Sequence, residues 1–141
     1  AVTPEVEEDE HEAIEVVTPA TYYLKNGKHY IVYEEVVEGT SGVIKNRIKI
    51  NGDECVEIVK SGLSNSHMIF EKNKKNQTFY KTPYGQMLIG VNTRHLQVDF
   101  EEDKIAVQID YELDVNHEPM ADCKIRMNIV SKDSGKFSVL S

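Results

Sequence analysis

Apolar and polar residues alternate along most of this chain with a period of two. In KIAVQIDYELD (Lys104 to Asp114), Ile105, Val107, Ile109, Tyr111 and Leu113 fall on one face. Lys104, Ala106, Gln108, Asp110, Glu112 and Asp114 fall on the other. Successive side chains of an extended strand point to opposite faces, so the pattern predicts a strand with one buried face. Cys123, Ile125, Met127 and Ile129 repeat it against Lys124, Arg126 and Asn128. Ile44, Ile48 and Ile50 do so against Lys45, Arg47 and Lys49, and Met87, Ile89, Val91 and Thr93 against Gly90, Asn92 and Arg94. No window carries an apolar stripe at helical spacing with caps, so the chain reads as all-β.

The breaks between these runs are turn-forming. Asn26-Gly27 and Asn51-Gly52 each suit a two-residue type I′ turn, in which both central residues need positive φ. Further breaks fall at 38–42, 61–66, 72–77, 82–85, 101–103 and 115–122. Strands are predicted near 12–18, 20–25, 29–37, 43–51, 54–60, 67–71, 78–81, 86–99, 104–114 and 122–131. Short connections make consecutive strands antiparallel neighbours. A sheet this wide with one apolar face buries that face best by curling closed. The expected fold is an antiparallel up-and-down β-barrel of about 8–10 strands, with a two-sheet sandwich as the alternative. The expected organisation is an acidic N-terminal segment at 1–11, one barrel domain at 12–131 and a C-terminal tail at 132–141.

Charge sharpens that division. The 141 residues carry 24 acidic and 16 basic side chains, a net charge of −8. Seven of the acids lie in residues 5–15, which hold no Lys or Arg, and the remainder is nearly neutral. A nucleic-acid partner held through phosphates needs a basic face, and this composition argues against one. No run approaches the roughly 18 apolar residues of a spanning helix, so no membrane partner is expected. AVTPEVEEDEHE lacks the basic and apolar regions of a secretory signal. Cys55 and Cys123 suggest neither a disulfide framework nor a zinc site. A reduced, cytoplasmic setting is the expectation.

The stretch TYYLKNGKHYIVYEE (Thr21–Glu35) resembles the YwiB-like bacterial family of unknown function, which has a calycin-like (lipocalin-like) β-barrel. RIKI (Arg47–Ile50), VEIVKSG (Val56–Gly62), HMIFE (His67–Glu71), TFYKTPYGQMLIGVNTRHL (Thr78–Leu96) and KIAVQIDYELD continue the resemblance in order. It implies the barrel and brings no established chemistry. By fold analogy it suggests a small, partly apolar ligand in the barrel interior. Family members begin with a short apolar strand that this chain lacks on this reading, since AVTPEV contains Pro4, which cannot donate to a ladder. An open sheet edge would then favour the alternative, a protein-interaction module or homodimer joined by strand addition without a small-molecule ligand.

Chemical motifs are sparse. The five histidines include no metal-binding spacing, neither cysteine has a nucleophile context, and no phosphate or dinucleotide fingerprint occurs. No catalytic residue, metal or cofactor is assigned, and nothing points to an enzyme. Glu34 and Glu35 must face opposite ways on a strand, so one of them points inward. His95 shares parity with Met87, Ile89 and Val91. Seven tyrosines without a tryptophan offer amphipathic rings for a pocket. The candidate ligand-binding set is Tyr23, Tyr30, Tyr33, Glu34, Tyr111 and His95. Lys72, Lys74 and Lys75 read as a solvated turn.

Overall fold

The computed structural model describes residues 2–8, 12–15, 17–63, 65–133 and 136–137. They form β1 (Val2–Glu8), β2 (Glu12–Glu15), β3 (Thr21–Lys25), β4 (Lys28–Val36), β5 (Val43–Asn51), β6 (Cys55–Gly62), β7 (Ser66–Glu71), β8 (Lys75–Thr82), β9 (Gly85–Phe100), β10 (Lys104–Val115), β11 (Glu118–Asp133) and β12 (Lys136–Phe137). Every ladder is antiparallel. One sheet runs β3-β4-β5-β6-β7; the other runs β2-β1-β11-β10-β9-β8, with β12 folded back on β11. The fold is all-β, as the alternation predicts.

Inward rows from both sheets build one core. Ile31, Ile48, Ile50, Val56 and Phe70 from the five-stranded sheet meet Val91, Leu96, Val107, Ile109, Cys123, Ile125 and Met127 from the other. Phe70 packs edge-on against Tyr111 with ring centroids 4.9 Å apart. His29 and Phe100, both beside hairpin turns, lie 4.7 Å apart by ring centroid and bring corresponding ends of the two sheets together. The Thr93 amide donates to the Lys74 carbonyl (3.1 Å), which extends the β8–β9 ladder into the connection from β7.

Four local features depart from the sequence expectations. First, Val2–Glu8 is a strand, where the sequence reading places none. VTPEVEE itself alternates: Val2 and Val6 sit opposite Ile129 and Ile125, while Glu5 and Glu7 sit opposite Arg126 and Lys124. The register thus matches apolar with apolar and acid with base. Pro4 faces Met127 within the β11 ladder and lies one residue outside the stretch paired with β2, so on the β2 side its missing N–H breaks no ladder bond.

Second, Asn51-Gly52 is not a two-residue turn. Asn51 stays in β5 opposite Cys55, and only Gly52 has positive φ (57°). A two-residue turn would set Val56 opposite Arg47 and drive it to the solvent face; the observed register sets Val56 opposite Ile50 in the core. At Asn26-Gly27 no such conflict exists, and both residues have positive φ (53° and 76°) as a type I′ turn requires.

Third, β9 carries a bulge. His95 pairs with Asp110 while Thr93 pairs with Tyr111, so Arg94 is the extra residue. Inward parity passes from Thr93 to Leu96, and His95 lies exposed on the outside.

Fourth, Lys75 is not a free turn lysine. Its ammonium lies 2.6 Å from the carboxylate of buried Asp114. The ion pair spans the bare backbone of Gly90, which faces Asp114 across the β9–β10 ladder. A Cβ at Gly90 would collide with Asp114 Oδ1 and come within 2.9 Å of Lys75 Cε. Gly90→Ala is expected to destabilise the protein by about 1–3 kcal/mol, because a buried group must shift to admit the methyl. Urea unfolding measures this; an unchanged midpoint would show that the ion pair adjusts without cost.

Candidate functional site

The inward face of the five-stranded sheet is built in rows by its register. Nearest the β3–β4 turn, His29, Ile50, Val56 and Phe70 align across four strands. The next row is Ile31, Ile48, Ile58 and Met68. Two residues further along each strand the chemistry changes, and the row reads Tyr33, Asn46, Lys60 and Ser66. A polar layer therefore sits on two apolar ones, at the end where β4 turns into β5 and β6 into β7.

Glu35, one further step along β4, completes the layer. The Asn46 side-chain amide donates to Glu35 Oε1 at 2.7 Å, and the Lys60 ammonium donates to the same oxygen at 2.9 Å. The side chains of Lys60 and Glu35 are about one-third exposed (36% and 38%), whereas Asn46 is fully buried. Asn46 Oδ1 has no hydrogen-bond partner among the described residues. An unmatched buried acceptor costs about 1–3 kcal/mol. Half-buried Ala20, Tyr33, Ile58 and Met68 pack against the core beneath and beside this layer.

Burial pushes the Glu35 carboxyl up, but the hydrogen bonds from Lys60 and Asn46 and the Lys60 charge together outweigh it, so its pKa lies below the ordinary carboxylate value. Burial, with the Glu35 charge adding to it, pushes the Tyr33 phenol up to about 12. Tyr33 is therefore a neutral hydroxyl at physiological pH. The layer offers one anion, one cation, one phenol, one amide and the Ser66 hydroxyl.

Of the sequence-derived candidates only Tyr33 lies in this layer. Tyr111 points inward from the other sheet but is buried against Phe70. Tyr23 and Tyr30 face each other on the opposite face of the five-stranded sheet, their rings parallel within 8° at 4.9 Å. Glu34 is exposed on that same face, and His95 is displaced by the β9 bulge. Tyr33 and Glu34 do meet along a surface groove of about 470 Å³ that Thr18, Pro19, Ala20, Thr21 and Val32 also line. Asn46, Lys60 and Ser66 are absent from the sequence-derived set, and of the Glu34–Glu35 pair that set takes Glu34 where Glu35 is the inward one. The available signal was parity: Asn46 lies in step with Ile44, Ile48 and Ile50, and Lys60 with Val56 and Ile58. Among the described residues no three His, Cys, Asp or Glu side chains are grouped to hold a metal. No helix there is long and apolar enough to cross a membrane.

Residues 2–127 match the family model described as a domain of unknown function, DUF1934. The chain belongs to the DUF1934 family. It is 30% identical over 114 residues to the uncharacterized beta-barrel protein YwiB of Bacillus subtilis (strain 168), covering 80% of this chain and 78% of that protein. The crystal structure of the ywiB protein from Bacillus subtilis superposes with a TM-score of 0.74 at 22% identity, over 99% of this chain and 89% of that one. The likeness to the crystal structure carries the fold alone. The DUF1934 match starts at residue 2, within β1.

The Glu35 contacts have a measurable signature. With its folded pKa below the unfolded value of about 4.3, ionised Glu35 stabilises the protein above that pH, and the contribution is lost as pH falls through the lower folded value. Glu35→Gln is expected to show a stability deficit that is largest above about pH 5 and narrows on acidification. Urea midpoints across pH test this. A deficit that widens toward acid would contradict the assignment.

Proposed function

We propose that this protein binds a small, partly apolar ligand on the inward face of its five-stranded sheet, at the end that carries the polar layer. The carrying observation is the sharp change from the Ile31–Ile48–Ile58–Met68 row to the Tyr33–Asn46–Lys60–Ser66 row. An apolar floor with a few convergent polar groups is the usual composition of a small-molecule site. The deeper interior is filled by Ile31, Ile48, Ile50, Val56 and Phe70, all with no exposed surface. The reading therefore puts the ligand's apolar part against Ile58 and Met68 and its polar part against Glu35, Asn46 and Lys60. A cytoplasmic location belongs to the same proposal.

The alternative, a protein-interaction module or homodimer joined by strand addition at an edge left by a missing first strand, has less support, because β1 is present and lies between β11 and β2.

Nile red, a neutral dye whose emission rises in apolar surroundings, tests the site in the full chain. Ser66→Trp adds bulk to the polar row without removing an ionisable group. It is expected to weaken Nile red binding about fivefold or more, equivalent to about 1 kcal/mol. Absence of binding by the parent protein, or unchanged binding in a Ser66→Trp variant with native circular dichroism, overturns the proposal.

A further inference from the structure

We infer that the polar end of this site selects a head group that donates hydrogen bonds, such as an amine, an amide or an alcohol, over a free carboxylate. The inference rests on the ligand-binding reading above and adds the chemical class of the ligand. It starts from Asn46. Its amide could in principle point either way, but an ionised carboxylate only accepts hydrogen bonds. The 2.7 Å contact to Glu35 Oε1 therefore assigns the nitrogen to that side and leaves the carbonyl oxygen as the unmatched atom. Because Asn46 has no exposed surface, solvent at the protein surface does not satisfy that oxygen.

Glu35 adds further accepting capacity. Asn46 and Lys60 both bond to Oε1, so neither of these two bonds engages Oε2. A carboxylate has about four lone-pair positions, and two bonds on one oxygen leave room on the other. Beside the hydroxyls of Tyr33 and Ser66, which can donate or accept, the layer thus offers two acceptors, an amide oxygen and a carboxylate oxygen, to whatever enters. A donating head group meets acceptors there. An incoming carboxylate brings further acceptors and a charge that Glu35 repels, with Lys60 as its counterweight.

Lys60 is the movable member. Its side chain is 36% exposed and, among the described residues, is tied to the layer by its bond to Glu35. Its long stem lets the ammonium swing toward solvent while the stem stays packed. An entering ammonium or N–H group then takes its place on Glu35 and reaches toward Asn46. On this mechanism Lys60 competes with the ligand for Glu35.

That competition gives the test an unusual sign. Dodecylamine, dodecanamide and dodecanoate share one alkyl chain and differ in the head group, and each is titrated against Nile red bound to the full-length protein. The amine and the amide are expected to displace the dye at about tenfold lower concentration than dodecanoate. Lys60→Met should strengthen the amine several-fold by freeing Glu35, and Glu35→Gln should weaken it. Dodecanoate equal to or better than the amine overturns the inference, as does a weaker amine in Lys60→Met. The ranking on the parent protein stands even if a variant fails to fold. If Nile red binds and responds to Ser66→Trp but none of the three displaces it, the head-group inference alone fails. If Nile red does not bind, the ligand-binding reading fails and takes this inference with it.

Discussion

A β-ladder does not choose its inward residues one at a time. Once Ile48 and Ile50 are buried, the two-residue period of β5 carries Asn46 to the same face, whatever that costs. The same coupling brings Lys60 inward behind Val56 and Ile58, and Glu35 behind Ile31 and Tyr33. The polar layer is thus a consequence of strand periodicity acting on a few polar residues in otherwise apolar rows. Its members then compensate one another, with an amide and an ammonium meeting on one carboxylate oxygen. Everything distinctive about this end of the sheet follows from that arrangement.

The fold was legible because one signal, alternation, recurred in nearly every segment and agreed with the turn residues between segments. The rows of β10 and β11 can be read directly from KIAVQIDYELD and CKIRMNI. The site was much less legible. Tyrosines drew attention as amphipathic rings, yet Tyr23 and Tyr30 stack on the opposite face, because strand parity outranks chemical interest in deciding direction. Glu34 and Glu35 were separable in principle: Ile31 is in step with Glu35, and the burial of that row decides between them. Asn46 is hard to recognise, because a polar residue amid Lys45, Arg47 and Lys49 looks like part of a solvated stretch. What parity alone cannot supply is convergence, since the meeting of β4, β5 and β6 at one oxygen depends on register between strands.

Electrostatics reads differently in three dimensions as well. The acidic N-terminal stretch accounts for most of the chain's net charge, yet the register places Glu5 and Glu7 opposite Arg126 and Lys124. On β10 the outward row continues the theme, with Asp110 bonded to Arg126 at 2.9 Å and Glu112 to Arg94 at 2.8 Å. Partly exposed ion pairs such as these two on β10 contribute little to stability individually. The β1 pairings bear on register, because a one-residue slip of β1 would take Glu5 and Glu7 off the cations opposite them and set Val6 opposite one of those cations.

The β9 bulge has a consequence for comparing relatives. Because Arg94 is an extra residue, β9 is two runs of opposite parity: odd-numbered residues face inward up to Thr93, and even-numbered ones from Leu96 onward. A homologue without the insertion would keep a single parity through the whole strand. Ungapped alignment against such a chain would equate core positions with solvent positions on one side of the bulge. Insertions and deletions in this strand should therefore concentrate at 94–95, and a gap placed there restores the correspondence of buried residues on both sides.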